Sequence, residues 1–269
     1  MSKKVYTNGQ WLEENNQNII DGKRAVAFMD ILGFKNLIET YQTSDLGMAY
    51  MTAIMNIEGL NKKRAGFNSI FPNHPIDVPL CKKFIFSDSI IFISNGDSKE
   101  EALKTLIATW KTMQYLIAAG LPVRGAVTFD EIFINPQNNI FLGKALTKAY
   151  LLEQTQEWVG GVIDESLFTS FQELKNEVEN EKSIYNKLFL KYKVPLKEDA
   201  EKEYYTINWR AGLILTDRKD DELFKFTNDK NIDKKFNNTL EYCKKALYFF
   251  EGENVPIEFT NMYFGSKRP

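Results

Sequence analysis

Arg24-Ala-Val-Ala-Phe-Met-Asp-Ile-Leu-Gly-Phe34 is a strand-type apolar run that contains a single acid, Asp30. A second run of the same kind, Lys83-Phe-Ile-Phe-Ser-Asp-Ser-Ile-Ile-Phe-Ile93, contains Asp88. A carboxylate at the end of a buried strand costs free energy unless a cation meets it. Two carboxylates on neighbouring strands repel each other unless a divalent metal lies between them. The two runs therefore suggest metal-assisted phosphoryl transfer.

The composition limits the kinds of partner. The chain has 269 residues, enough for a sizeable core, and a net charge of −2, so no basic field attracts a nucleic acid polymer. Cys81, Cys243 and His74 are too few and too scattered for a structural zinc site, so any metal is expected to be oxygen-ligated Mg²⁺ or Mn²⁺. The N-terminus shows no signal-peptide pattern and no run is long enough to cross a membrane, so we expect a cytosolic protein without a membrane partner.

The pattern of apolar residues predicts the order of elements. Gly33 permits a tight turn after the first strand. Strands are predicted at 24–32, 80–86, 89–94, 121–130 and 158–163, and helices at 35–63, 99–118, 143–156 and 233–250. Two more strand-like pieces lie at 188–192 and 204–209.

This order is βαββαβ followed by αβ, which is the ferredoxin-like pattern of an α+β fold. Its antiparallel sheet places the first strand beside the central hairpin and so brings Asp30 and Asp88 together. We expect three regions: a polar N-terminal arm at 1–23, a catalytic core at 24–165 and a C-terminal extension at 166–269 packed on the core.

Over residues 24–165 the chain resembles the catalytic domain of class III nucleotidyl cyclases. That family has an aspartate in a Phe-x-Asp-Ile-x-Gly-Phe setting, here Phe28 to Phe34, and a second aspartate at a hairpin tip, here Asp88. The Arg-Gly element of a later strand matches Arg124-Gly125, and the helix opener Gly-x-x-Val-Asn-x-Ala is matched loosely from Gly143 to Ala149.

The departures from the family pattern concern the base and the transition state. Phe84 and Ile140 stand where adenylyl cyclases read adenine with a lysine and an aspartate, so synthesis of cyclic AMP is not expected. The asparagine and arginine that steady the transition state correspond to Thr147 and Leu151. Lys144, Lys148 or Arg124 are candidates to replace the missing arginine, and the sequence leaves the choice open.

The combination of motifs resembles the pyrimidine cyclases of the bacterial Pycsar antiphage system. The matching segments are Asp30 to Phe34, Ser87-Asp88-Ser89, Pro122-Val-Arg-Gly125 and Gly143-Lys-Ala-Leu-Thr-Lys-Ala-Tyr-Leu-Leu-Glu153. This resemblance implies conversion of UTP or CTP to a 3′,5′-cyclic nucleotide, which would activate a separate effector during phage infection.

The resemblance also implies site residues. Asp30, Asp88 and the Ile31 carbonyl would hold two Mg²⁺ or Mn²⁺ ions, and Gly33, Phe34 and Arg124 would bind the phosphates. Class III cyclases work as head-to-tail homodimers with sites between the subunits. The helix face that carries Lys144, Thr147, Lys148 and Leu151 would then reach the nucleotide of the partner.

Two other functions stay open at this point. A catalytically silent, cyclase-like module that binds a nucleotide or regulates a partner would explain the loss of the usual arginine. Another palm-type phosphotransferase, such as a diguanylate cyclase, is disfavoured because the Gly-Gly-Asp-Glu-Phe hairpin of that group is absent. In structural terms alone, Asp30 could cap a helix, Asp88 could be a turn residue, and the lysines could form a solvated helix face.

Overall fold

A computed structural model describes residues 4–7, 10–13, 19–48, 50–51, 80–212 and 230–248. The strands are β1 (Lys4–Thr7), β2 (Gln10–Glu13), β3 (Ile20–Ile31), β4 (Cys81–Phe86), β5 (Ser89–Ser94), β6 (Val123–Asn135), β7 (Ile140–Leu142), β8 (Gly160–Ile163), β9 (Phe189–Pro195) and β10 (Glu201–Ile207). The helices are α1 (Phe34–Thr40), α2 (Lys99–Ala118), α3 (Lys144–Thr155), α4 (Glu165–Ser170), α5 (Gln172–Glu179), α6 (Ile184–Leu188) and α7 (Lys230–Tyr248). None of the helices within these ranges is both long and apolar enough to cross a bilayer.

The α+β class and the βαββαβ order are confirmed. An eight-stranded sheet runs in the order β4-β5-β3-β6-β8-β10-β9, with β7 paired to β6. β3 lies between β5 and β6, as predicted, and pairs antiparallel with both. β1 and β2 form a separate two-stranded sheet.

The strand pairs of the βαββαβ core are antiparallel, as predicted, and β8, the strand that follows α3, pairs parallel with β6. α3 connects them, and a helical crossover of this kind returns the chain in the same direction. Beyond β8 the sheet continues into β10 and β9, so the C-terminal segment adds strands to it. The three predicted regions, divided at residues 24 and 165, remain predictions.

The single helix predicted at 35–63 is wrong in its first part. α1 ends at Thr40 because the backbone of Tyr41 is extended, with ψ of 155°. Helical residues resume at 43–48 and at 50–51, and positions 52–79 lie outside the described residues. Among the apolar residues of this segment, Leu37 is buried, whereas Tyr41, Met48 and Met51 are exposed. Thr and Ser residues around the break favour helix ends over helix interiors.

Each face of the central strands is covered by one helix. The larger core lies under α2, whose residues pack on the β3 side chains Ala25, Ala27 and Met29. The smaller core contains Val26 and Phe28 together with Ala145 and Ala149 of α3. Because side chains alternate along a strand, Asp30 falls on the α3 face. The end of β3 thus presents a carboxylate at the margin of the smaller core.

Candidate active site

Asp30 occupies the end of β3 between two polar neighbours. In the strand register it pairs with Ser89 of β5 on one side and with Arg124 of β6 on the other. The hydroxyl of Ser89 donates a hydrogen bond of 3.1 Å to Oδ1 of Asp30. The carboxylate is partly exposed and therefore open to a ligand.

Asp88 lies at the tip of the β4–β5 hairpin, next to the residue that pairs with Asp30. Ser87 takes a positive φ of 55° in this turn. The carbonyl of Asp88 accepts a 3.1 Å hydrogen bond from the amide of Ile31, which ties the hairpin tip to the end of β3. Two acids that are distant in the sequence are thereby brought to the same end of neighbouring strands.

The pKa of Asp30 reports this crowding of negative charge. It is raised from 3.8 to about 6, first by burial and then by the charges of Glu153 and Asp88, while the hydrogen bond from Ser89 and the charge of Arg124 lower it. Repulsion between carboxylates is the condition that a divalent cation relieves. The electrostatics of the site therefore favour a bound cation.

Arg124 is buried and already engaged within the chain. Its Nε donates to Oε1 of Glu153 at 2.6 Å, and its Nη1 donates to the carbonyl of Gln156 at 2.6 Å. The side chain of Gln156 in turn donates to the carbonyl of Gly125 at 3.0 Å. The guanidinium is thus held in a buried network next to Asp30, and its predicted contact with phosphate remains a prediction.

Glu153 is the residue of this site that the sequence interpretation missed. It is completely buried, on the face of α3 that also buries Ala145 and Ala149. These three positions are spaced by four residues, so the helical period placed an acid on the buried face. That spacing was the available signal, since a fully buried glutamate requires a cationic partner.

The remaining candidates on α3 lie on its exposed face, and the partners of their side chains are residues other than Asp30 and Asp88. Lys144 Nζ lies 3.0 Å from Oε2 of Glu131, and Lys148 is paired with Asp130. The hydroxyl of Thr147 donates to the carbonyl of Gly143 at 3.1 Å. Asp130 is about 20 Å from Arg124 along β6. Leu151, on the same exposed face, is also exposed.

The turn after β3 agrees with the prediction only in part. Gly33 has the predicted left-handed backbone, with φ of 71°, and α1 starts directly at Phe34. The neighbouring amide of Leu32 donates to the carbonyl of Pro122 at 2.8 Å and is therefore engaged within the chain. The phosphate-binding roles of Gly33 and Phe34 therefore remain predictions without the support of Leu32.

Aromatic side chains of β3, β4 and β7 lie on the α3 face of the sheet, in or against the smaller core. Phe141 of β7 makes edge contacts with Phe84 and Phe86 of β4, at ring distances of 4.9 and 5.8 Å. Phe28 meets Tyr150 of α3 at 5.4 Å. Several large apolar side chains of this region are exposed, namely Ile85, Phe86, Ile140, Leu142, Tyr150 and Leu151. We refer to these six residues as the apolar surface.

The donor set suits a hard cation that is shared with a substrate. Within the described ranges, no group of three or more His, Cys, Asp and Glu side chains is arranged to hold a metal by itself. Mg²⁺, however, is usually bound by one or two carboxylates together with substrate phosphates. Asp30 and Asp88 provide such a pair of carboxylates, and the Ile31 carbonyl remains the predicted third protein ligand.

Comparison with known proteins returned structural neighbours only. No protein-family model and no curated protein matches the chain. An adenylyl cyclase, CyaB from P. aeruginosa, aligns with a TM-score of 0.47 at 11% identity, over 71% of this chain and 95% of that one. The guanylyl cyclase domain of the RhoGC fusion protein from the fungus Blastocladiella emersonii gives 0.46 at 12%, over 70% and 95%. A bacterial light-regulated adenylyl cyclase gives 0.45 at 12%, over 77% and 97%. Scores and identities in this range are too low to assign a function to the chain.

Proposed function

We propose that the chain is a pyrimidine nucleotide cyclase. It would convert UTP or CTP to the 3′,5′-cyclic nucleotide and pyrophosphate, as a second messenger in antiphage defence that acts on a separate effector. The observation that carries this proposal is the convergence of Asp30 and Asp88 at the end of β3, where their mutual repulsion favours a divalent cation. The sequence motifs around these two acids supply the reaction class.

The acids and the Ile31 carbonyl would hold two Mg²⁺ or Mn²⁺ ions. Bound there, divalent cations lower the pKa of the ribose 3′-hydroxyl and neutralise the triphosphate. The contribution of the chain itself is to hold both carboxylates in place. Ser89 orients Asp30 through its hydroxyl, and the Ile31 amide fixes the hairpin that carries Asp88.

The reaction is an intramolecular displacement at phosphorus. The 3′-oxygen loses its proton to solvent and attacks the α-phosphorus of the same nucleotide. The bond from the α-phosphorus to the oxygen bridging to the β-phosphorus breaks, and pyrophosphate leaves with that oxygen. Atoms and charge balance without an added oxidant or reductant.

The proposed pyrimidine preference rests on the resemblance of the sequence motifs to pyrimidine cyclases, and two side chains at base-reading positions support it by disfavouring adenine. Phe84 contacts Phe141, and Ile140 is exposed. Neither side chain offers a hydrogen bond to the edge of adenine, whereas aromatic faces accept a stacked base of any kind. The choice of UTP and CTP as candidate substrates follows from the resemblance and not from these side chains.

A head-to-tail homodimer is the assembly we propose. The apolar surface is exposed next to the acid pair, and burial of such a surface favours association. The exposed face of α3, with Lys144, Thr147 and Lys148, would then supply groups to the nucleotide of the partner subunit. Arg124 would remain with its own subunit as the cation nearest to Asp30.

The test is incubation of the purified chain with each of the four nucleoside triphosphates and Mn²⁺, followed by chromatography. We expect a 3′,5′-cyclic pyrimidine nucleotide and an equal amount of pyrophosphate. Asp30→Asn and Asp88→Asn should give no product, whereas Asp97→Asn, an exposed acid beyond β5, should react like wild type. A cyclic purine product, or no cyclic product, would overturn the proposal.

A second candidate, a silent nucleotide-binding module, is favoured by one observation. Two nitrogens of Arg124 are committed to acceptors within the chain, and Lys144 and Lys148 are paired with acids. A transition state without a free cation is poorly stabilised. Binding of UTP or CTP without turnover in the same incubation would select this candidate.

A further inference from the structure

Tyr50 has a buried hydroxyl that is not used within the described part of the chain. The residue lies in the second helical stretch after β3, and its ring packs against the larger core. Its Oη is shielded from solvent and has no hydrogen-bond partner among the described residues. A buried hydroxyl without a partner destabilises a folded protein, so its retention calls for an explanation.

The hydroxyl is within electrostatic reach of the acid pair. Burial raises the pKa of Tyr50 well above its usual range, and the negative charges of Asp88 and Asp30 raise it further. The electrostatic influence on the Tyr50 hydroxyl therefore comes from these two carboxylates.

A phenol beside two carboxylates ordinarily donates a hydrogen bond to one of them. Here it donates to neither, although Asp30 accepts from Ser89. A buried donor without a partner among the described residues, within electrostatic reach of two carboxylates, fits a ligand that those carboxylates hold. Oxygen atoms around a divalent cation, whether of water or of phosphate, are acceptors of the right kind.

We propose that the hydroxyl of Tyr50 donates a hydrogen bond to an oxygen ligand that Asp30 and Asp88 hold through a divalent cation. This inference rests on the proposed function and adds Tyr50 to the site as a catalytic residue. That ligand is either a cation-bound water or an oxygen of the triphosphate. In either case the acceptor of this hydrogen bond is an oxygen atom next to the cation.

The experiment compares Tyr50→Phe with wild type, since this substitution removes only the hydroxyl oxygen and its proton. Mn²⁺ affinity is measured from the electron paramagnetic resonance signal of free Mn²⁺, first with Mn²⁺ alone and then with Mn²⁺ and a non-hydrolysable UTP analogue. Tyr41→Phe, on the same segment but exposed, is the matched control. Thermal unfolding without metal is recorded for all three proteins.

We expect Tyr50→Phe to weaken Mn²⁺ binding by about tenfold, as the loss of an outer-shell partner does. Weakening with Mn²⁺ alone identifies a water as the acceptor, and weakening only with the analogue identifies a phosphate oxygen. The unfolding temperature without metal should be unchanged or higher, because the substitution removes an unpartnered polar group. A purely structural tyrosine would lower that temperature instead.

Two results would overturn the inference, and they are distinguishable from failure of the proposed function. Equal Mn²⁺ affinities of Tyr50→Phe and wild type in both conditions would overturn the role of Tyr50 alone. Absence of Mn²⁺ binding by wild type would overturn both proposals. Mn²⁺ binding that depends on Tyr50, without cyclic product from any triphosphate, would overturn the cyclase and support this inference.

Discussion

Arg124 is the cross-strand neighbour of Asp30, yet its guanidinium forms an ion pair with Glu153, at 2.6 Å between Nε and Oε1. Both side chains are almost completely buried. The positive charge next to Asp30 is therefore largely balanced by Glu153, and the pKa of Asp30 is raised in spite of its arginine neighbour. This arrangement leaves the region around Asp30 and Asp88 negatively charged, which favours the binding of a cation.

Glu153→Gln should strongly destabilise the fold, because it leaves the buried guanidinium of Arg124 without its counter-charge. We expect a loss of about 3–5 kcal/mol in the free energy of unfolding, measured with urea. Glu131→Gln is the matched control, since its ion pair with Lys144 is exposed. The control should lose at most about 1 kcal/mol. Equal losses in the two variants would show that the buried ion pair contributes no more to stability than the exposed one.

Asp30 should make the stability of the metal-free protein depend on pH. Its pKa is raised in the folded state to about 6, so the fold favours the protonated carboxyl. The resulting penalty is absent below the unfolded value of 3.8, builds up as the pH rises towards about 6, and is complete above that.

Asp30→Asn should therefore be more stable than wild type near neutral pH, and this advantage should disappear near pH 4. We expect a pH-dependent difference of about 1–2 kcal/mol, reduced because the carboxyl is partly exposed. Urea unfolding at several pH values in the presence of a chelator measures it. A difference that shrinks as the pH rises would contradict the raised pKa.

Gly143→Ala should disrupt the start of α3. Gly143 has a φ of +150°, and a Cβ there would lie 2.5 Å from the carbonyl oxygen of Glu131 and 2.6 Å from Cα of Ile132. We expect a destabilisation of about 2–3 kcal/mol in urea unfolding.

Gly47→Ala is the control for this substitution. A Cβ on Gly47 meets no atom of the described residues within 4 Å. It should be neutral or stabilising by up to about 1 kcal/mol, as expected for alanine in place of glycine in a helix. A loss of stability at position 47 that equals the loss at position 143 would remove the steric explanation.

Mixing two inactive variants tests whether the site is shared between subunits. Asp30→Asn lacks the acid, and a variant with Lys144→Ala and Lys148→Ala lacks the proposed contribution of α3. In a head-to-tail heterodimer of the two, one site combines intact acids with an intact α3. We expect the mixture to recover about a quarter of wild-type turnover. A mixture that stays inactive, or a lysine variant that is active alone, would contradict the shared site.

The sequence allowed the order of elements and the meeting of Asp30 with Asp88 to be predicted. Both follow from local patterns, because a strand that precedes a helix and a hairpin pairs with that hairpin in this topology. The end of α1 at Thr40 was not predictable in this way, since the apolar spacing continues across the break at Tyr41.

The partners of charged residues were the least predictable part of the site. Arg124 and Glu153 meet only because β6 and α3 pack together, and a single sequence contains no record of that contact. The same holds for Lys148, whose partner Asp130 lies on β6. Tertiary packing determines which cationic side chains remain available near Asp30 and Asp88. The identity of the residue that stabilises the transition state therefore stays a prediction.

The central claim is that Asp30 and Asp88 act together on a pyrimidine triphosphate. The most direct measurement is the rate of cyclic product formation from UTP and CTP with Mn²⁺, for wild type, Asp30→Asn, Asp88→Asn and the control Asp97→Asn. The account predicts a cyclic pyrimidine nucleotide from wild type and from the control, and a loss of at least about a thousandfold in each of the other two. Full activity of either Asp30→Asn or Asp88→Asn would contradict it.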